Sequence, residues 1–260
     1  MIGLGTSNVG ISAATLAKNL GAPANTNSYS ILMDGTNDYL SQPDGDNLFD
    51  TLATGSWTLS FYIKFVTTTS QTIFWKGTYP SDYLWIYCSA GGDLAITGAT
   101  NTSTTVINTS FNSNLNADTW YHVVFVSDGS GTNRSTLCYV NKNAVSTNSS
   151  TTIASSTNLE SHTGATLLTT SNLAGLAYYN QYLDQIATWN AALSAASITE
   201  IYDNNPNLSS NSGDYTDSAR LQKYLKMDEN EGTSANDLAG NGFAAMTLVN
   251  GAAWSTDKPW

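Results

Sequence analysis

Few side chains in this 260-residue chain carry charge. Charged residues make up 11% of it, with nine Lys and Arg against twenty Asp and Glu, a formal net charge of −11. A surface so poor in cations repels phosphate backbones and anionic headgroups, which excludes nucleic acid as a partner and argues against anionic membranes. Glutamate is scarcer still, limited to Glu160, Glu200, Glu229 and Glu231. The acid is therefore mostly Asp, which suits turns and cation coordination better than helix faces. No apolar run is long enough to cross a bilayer, so no membrane insertion is expected. The opening stretch MIGLGTSNVGISAATLAKNLGAP lacks a basic segment followed by an apolar one. No secretory signal is recognisable there, so synthesis in a cytoplasm without export by that route is the expectation, an extracellular location being the alternative.

Catalytic patterns are also missing. There is no E-x-D-x-E strand of the kind that pairs a nucleophile with an acid in glucanases. Glu229 and Glu231 alternate in MDENEG, but in a turn-like setting. His122 and His162 are the only histidines, and no Ser–His–Asp or Cys–His spacing surrounds them. His122 reads as a packed core residue. The two cysteines, Cys88 and Cys138, lie in strand-like runs. Adjacent strands could bring them to bridging distance; the alternative is two buried thiols.

What is present is β texture. Seven Trp and fourteen Tyr, in a background rich in Ser, Thr, Asn and Gly, suit strands with neutral polar outward faces and not a disordered chain. Short apolar runs recur with turn signals between them, as in WTLSFYIKF, TIFWKG, YLWIYCS, LAITG, WYHVVFVS and STLCYVN, the pattern of a sandwich or barrel. In WTLSFYIKF, Trp57, Leu59, Phe61, Ile63 and Phe65 share one face and Thr58, Ser60, Tyr62 and Lys64 the other, which predicts a half-buried strand. In WYHVVFVS both faces are largely apolar, so a central strand is expected. Residues 1–27 read as an arm and linker, with a short helix at 12–20 capped by Ser12 and stopped by Gly21. A second helix is expected at 195–203, with Ser194 as its N-cap. Residues 28–260 are expected to form one all-β antiparallel sandwich, its Ser/Thr-rich stretch 141–177 forming exposed strands and loops.

Two kinds of site are suggested by residue type. The turn DGTND gathers Asp34, Asn37 and Asp38 as hard oxygen donors, and Asp184 could join them if the first and last strands are neighbours. That set would suit a structural Ca²⁺; the alternative is a plain turn and a strand-end cap. Sugars pack on exposed aromatic surfaces and bond to neutral polar groups. Trp75, Tyr79, Tyr83 and Trp85 form one candidate glycan platform, and Tyr178, Tyr179 and Tyr182 a second. The alternative for both is core packing or cross-strand pairing.

Several segments together resemble a laminin-G-like domain of the concanavalin type. They are YSILMDGTNDYLS, GSWTLSFYIKF, NADTWYHVVFVSDGSG with the hairpin CYVNKNAVS, and YLDQIATWNAALSAASITEIYD. The resemblance implies a jelly-roll sandwich and a calcium ion near the DGTND turn. The segment YLKMDENEGTSANDLAGNGFAAMTLVNGAAW resembles the first strand and loop of that family, yet here it comes last. The order therefore reads as circularly permuted, with about 220–254 supplying an edge strand that closes the sandwich. With the Gly-rich arm, the arrangement resembles structural proteins of tailed bacteriophages. The implied role is a non-enzymatic virion surface protein, a capsid decoration or fibre, which contacts itself or other virion proteins and adheres to cell-surface glycans. The alternative is a soluble or exported calcium-dependent carbohydrate-binding module, and a third reading is a concanavalin-like glycoside hydrolase.

Overall fold

The computed structural model describes residues 27–43, 45, 55–67, 69–80, 82–99, 105–129, 132–151, 153–154, 166–168, 170–171 and 177–260. The expected helix at 12–20, and the arm apart from Asn27, lie outside the described residues. In chain order the strands are β1 (Ser30–Asp34), β2 (Tyr39–Gln42), β3 (Trp57–Phe65), β4 (Gln71–Thr78), β5 (Asp82–Cys88), β6 (Leu94–Ala99), β7 (Thr105–Phe111), β8 (Trp120–Asp128), β9 (Asn133–Val140) and β10 (Asn143–Val145). They continue with β11 (Thr147–Ser150), β12 (Ile153–Ala154), β13 (Thr166–Leu168), β14 (Thr170–Ser171), β15 (Ala177–Tyr178), β16 (Asn180–Trp189), β17 (Leu221–Leu225), β18 (Ser234–Ala235), β19 (Met246–Val249) and β20 (Ala253–Ser255). One α-helix, α1 (Ala195–Asn204), follows β16.

All the strands but β14 and β15, which pair with each other, build two antiparallel sheets packed as a jelly-roll sandwich. The first runs β10-β9-β8-β3-β16-β1-β20, and the second β11-β7-β6-β5-β4-β13-β2-β19-β18. The alternation in WTLSFYIKF is realised: Leu59, Phe61, Ile63 and Phe65 join the core between the sheets. Strand β8 is internal, lying between β3 and β9. Val123 and Phe125 point into the main core, whereas Val124 and Val126 enter a second core on the opposite face. That second core is capped by α1 through Ile198 and Ile201. Ser194 begins the helix by accepting a hydrogen bond from the Ser197 amide, and Asn205 ends it in the left-handed region at φ 40, as capping preferences require.

Local sequence explains the corners. Val140 pairs with Asn143, and the two residues between them, Asn141 and Lys142, both have positive φ (47 and 64). This is the hairpin geometry whose twist matches that of the strands. At the end of β4, Gly77 has φ +95, and a Cβ there would stand 2.1 Å from the Asp82 carbonyl oxygen. Only glycine lets β4 and β5 close so tightly.

The C-terminal quarter differs from the single edge strand expected of it. Strand β17 pairs with β16 beside β1, β19 and β18 extend the second sheet past β2, and β20 forms the edge of the first sheet on β1. One short segment therefore borders both sheets. Cys88 and Cys138 are both free and buried. They lie on β5 and β9, in different sheets, so the adjacency a bridge would need is not met. Burial pushes the Cys88 thiol up to about 12 and raises Cys138 as well.

Candidate functional site

The outward faces of the two sheets have opposite characters. On the first sheet, Thr58, Ser60 and Tyr62 of β3 are at most 4% exposed although they point away from the main core. Two segments cover them. Helix α1 brings Tyr202 to 6.0 Å from His122, nearly parallel to it. The chain after β20 brings Trp260 edge-on to Tyr62 at 4.8 Å. Asp257 accepts hydrogen bonds from Lys64 and from the Trp120 indole.

Beneath this cover, Asp184, Tyr62 and His122 form a row across β16, β3 and β8, paired Asp184 with Tyr62 and Tyr62 with His122. His122 stacks on Tyr62 at 4.5 Å, and its Nε2 lies 2.8 Å from the Ser60 hydroxyl. Burial lowers its pKa to about 3, so it is a neutral, packed histidine. Asp184 Oδ1 accepts from the Asn27 side-chain amide and the Gln185 amide. Its Oδ2 has no partner among the described residues. Desolvation raises the Asp184 carboxyl well above the ordinary carboxylate range, reinforced by Asp228 and opposed by those two hydrogen bonds and by Lys226. A bulge follows: β16 has one more residue than β3 between the pairs Asp184–Tyr62 and Ala187–Ser60, and Gln185 sits at φ 43. The bulge re-aims β16 so that Ala187 and Trp189 enter the second core.

On the second sheet, the outward residues of β5 are Tyr83, Trp85 and Tyr87, all partly exposed, while Leu84, Ile86 and Cys88 face the core. Tyr83 stacks on Trp75 at 5.7 Å with an interplanar angle of 9°. Trp85 meets Trp75 edge-on at 6.1 Å and stacks with Tyr87 at 4.1 Å. The Trp85 indole donates to the Thr72 hydroxyl on β4, so the ring leans over β4 and away from β6. Tyr79, 49% exposed at the hairpin tip, extends the group to within 5.1 Å of Tyr83. On the other flank, β6 presents only the short side chains of Ala95, Thr97 and Ala99, which pair with Tyr87, Trp85 and Tyr83 respectively. Beyond them stand Asn108 and Ser110 of β7, the latter bonded to Ser149 of β11.

The first expected glycan platform is thus one physical cluster, with a correction. Trp75 is only 1% exposed, because Tyr83 and Trp85 cover it, so it supports the surface without forming it. Tyr87 belongs to the surface and was missed, though its period-two spacing from Trp85 in DYLWIYC marks it. The polar residues of β7 and β11 carry no such signal.

The second expected platform does not form. Tyr178 lies 6.3 Å from Tyr39 of β2, whereas Tyr182 sits on the covered face of the first sheet, under Lys64 and beside Trp120. Tyr179 lies between β15 and β16, outside both strands.

The expected cation set also separates. Strands β1 and β16 are neighbours, but Asp34 is opposite Asn180. Asp184 is four residues further along β16, roughly 13 Å away at strand rise, near the other end of β1. The turn itself is knit by its own bonds, from the Asp34 amide to Asp38 Oδ2 and from the Thr36 amide to Asp34 Oδ1. The Asn37 carbonyl accepts from the Asn250 side chain. Among the described residues no group of three His, Cys, Asp or Glu side chains could hold a metal ion. Among them, too, no helix is long and apolar enough to cross a membrane. Glu229 and Glu231 lie between β17 and β18, and Glu229 accepts hydrogen bonds from Asn236, a loop-bracing role.

Comparison with known proteins agrees with this architecture. The profile described as the concanavalin A-like lectin/glucanases superfamily, laminin-G type, matches residues 34–199. Curated proteins give no match. Among solved structures, a putative carbohydrate binding protein from Bacteroides ovatus ATCC 8483 is similar at 16% identity and a TM-score of 0.57, covering 88% of this chain and 60% of that one. The Ruminococcus gnavus IT-sialidase CBM40 bound to α2,3-sialyllactose is similar at 12% identity and a TM-score of 0.51, covering 68% of this chain and 98% of that one. The NanB sialidase from Streptococcus pneumoniae is similar at 20% identity and a TM-score of 0.50, covering 68% of this chain but only 27% of that one. At these identities the likeness shows the fold. With the profile spanning most of a two-sheet jelly roll, the chain belongs to the laminin-G-like branch of the concanavalin A-like lectin/glucanases superfamily.

Proposed function

We propose that this chain is a non-enzymatic carbohydrate-binding module and that it holds its glycan on the outer face of the second sheet. The carrying observation is the row Tyr83, Trp85 and Tyr87, left partly exposed side by side on successive outward positions of one strand. Exposed aromatic clusters on a rigid sheet are a recognition surface more often than a packing accident. Sugar rings offer apolar C–H faces to such a surface and hydroxyls to the amides and hydroxyls beside it. The names of two similar structures, a putative carbohydrate binding protein and a sialyllactose-bound module, support the same reading. It does not depend on a cation at Asp34, Asn37 and Asp38. On a virion surface, the setting implied by the resemblance to phage proteins, this face would engage host glycans.

Retention on immobilised polysaccharides tests the proposal. The chain should be retarded on at least one of cellulose, xylan, mannan, laminarin or amylose, and Trp85→Ala should abolish the retardation. Retardation unchanged in that variant would move the site elsewhere, and no binding to any of these or to a broad glycan array would end the reading.

A further inference from the structure

We infer that the aromatic face selects an uncharged, extended oligosaccharide that runs along β5 and β6, and that it rejects acidic glycans. The inference rests on the proposed carbohydrate-binding reading and names the ligand class of that site. Three observations carry it.

The first is charge. The nine strands of the second sheet contain one basic residue, Lys76, and it is fully buried. The chain has no Lys or Arg at all between Lys76 and Arg134, nor between Lys142 and Arg220. Those stretches supply β5, β6, β7, β11 and β13, so no basic side chain can reach the platform from its own strands or the loops between them. A carboxylate or sulfate brought to this face would lose hydration and find no cation to replace it. It would also enter the field of a chain whose net charge is −11. Recognition of acidic sugars ordinarily uses the fork of an arginine, which this surface lacks.

The second is shape. Tyr83, Trp85 and Tyr87 occupy successive outward positions of one strand, so their row is about 13 Å long at strand rise. That length accommodates several linked pyranose rings in an extended chain, not a single terminal sugar. The rings lean toward β4, as the Trp85–Thr72 bond shows. The short residues of β6 leave a low strip beside them.

The third is the polar wall. Across that strip, Asn108 is exposed and Ser110 partly so. An amide and a hydroxyl both donate and accept, and they match neutral sugar hydroxyls.

The test is a paired titration of the full chain by calorimetry. Neutral probes are cellohexaose, xylohexaose, mannohexaose, laminarihexaose and maltohexaose, with the mono- and trisaccharides of whichever binds. Acidic probes are α2,3-sialyllactose, a heparin hexasaccharide and a hexagalacturonate. The expected result is binding of at least one neutral hexasaccharide, weakening on the order of tenfold or more when a single ring is removed in Trp85→Ala. Affinity should rise from mono- to trisaccharide, and the acidic probes should bind at least tenfold more weakly. Tyr79→Ala, at the exposed hairpin tip, gives a second ring deletion if Trp85→Ala fails to fold. Tighter binding of an acidic probe that still depends on Trp85 would overturn this inference while leaving the carbohydrate-binding reading in place. Equal affinity for mono- and hexasaccharide would overturn the extended-chain part in the same way. Absence of binding to every probe and to a broad glycan array would sink both.

Discussion

The outward aromatic residues at the centre of the first sheet and those on β5 of the second have different surroundings. On the first sheet Tyr62, His122, Trp189 and Tyr224 are at most 4% exposed, covered by α1, by Tyr215 of the loop after it and by Trp260. On the second, Tyr83, Trp85 and Tyr87 remain partly exposed, and Tyr79 is half in solvent. An outward ring thus contributes to stability where a second layer covers it and is available for recognition where, among the described residues, none does. The difference lies in what is packed on top, and not in the strands themselves.

Breaking the covered face should produce the largest effects. Trp189 is fully buried, donates its indole proton to the Tyr215 hydroxyl and meets that ring edge-on. Trp189→Ala should cost about 4 kcal/mol of stability, measured by urea unfolding, with glycan affinity per folded molecule unchanged. Next comes acid. The pKa of His122 is lowered to about 3 by burial, below its unfolded value near 6.5. Its contribution is therefore present above pH 6.5 and is lost as pH falls toward 3. Unfolding free energy should drop by about 3 kcal/mol between pH 7 and pH 4 from this residue, and His122→Asn should flatten that part of the profile.

Asp184 has the opposite sign. Its pKa is raised, so its favourable share is complete below the unfolded carboxylate value and declines as pH rises toward the folded one. Asp184→Asn should match the parent at pH 3 and exceed it in stability at pH 7, a comparison that differential scanning calorimetry makes directly. Asp257→Ala removes the bonds to Lys64 and Trp120, but the site is partly solvated, so about 1 kcal/mol is expected. The smallest change in stability belongs to the open face. Tyr79→Ala should alter unfolding by about 0.5 kcal/mol or less while weakening glycan binding.

Much of the open face was legible in the sequence because β alternation is a local signal. Tyr83 and Trp85 fall on one side of DYLWIYC whatever the rest of the chain does, and the same rule extends to Tyr87. Burial of the outward face of β3 was not legible. Thr58, Ser60 and Tyr62 read as solvent-facing, but α1 and residues 256–260, distant in sequence, lie over them. Asp184 parts from the DGTND turn for a related reason. Adjacency of β1 and β16 was a sound expectation, but antiparallel register decides which ends meet: Asp34 is opposite Asn180, and Asp184 follows Leu183, the partner of Ile31. The bulge at Gln185 has no composition signature. Its positive φ is tolerated only because Asp184 and the surrounding strands hold it, through the Gln185 amide bond to Asp184 Oδ1.

Hydroxyl-radical footprinting with and without the best-binding neutral hexasaccharide tests the central claim most directly. Protection of Tyr79, Tyr83, Trp85 and Tyr87, with Trp120, Tyr182 and Tyr202 unchanged, is the predicted result. Protection of the latter group, or of the DGTND turn, with the β5 row still reactive, would contradict the account.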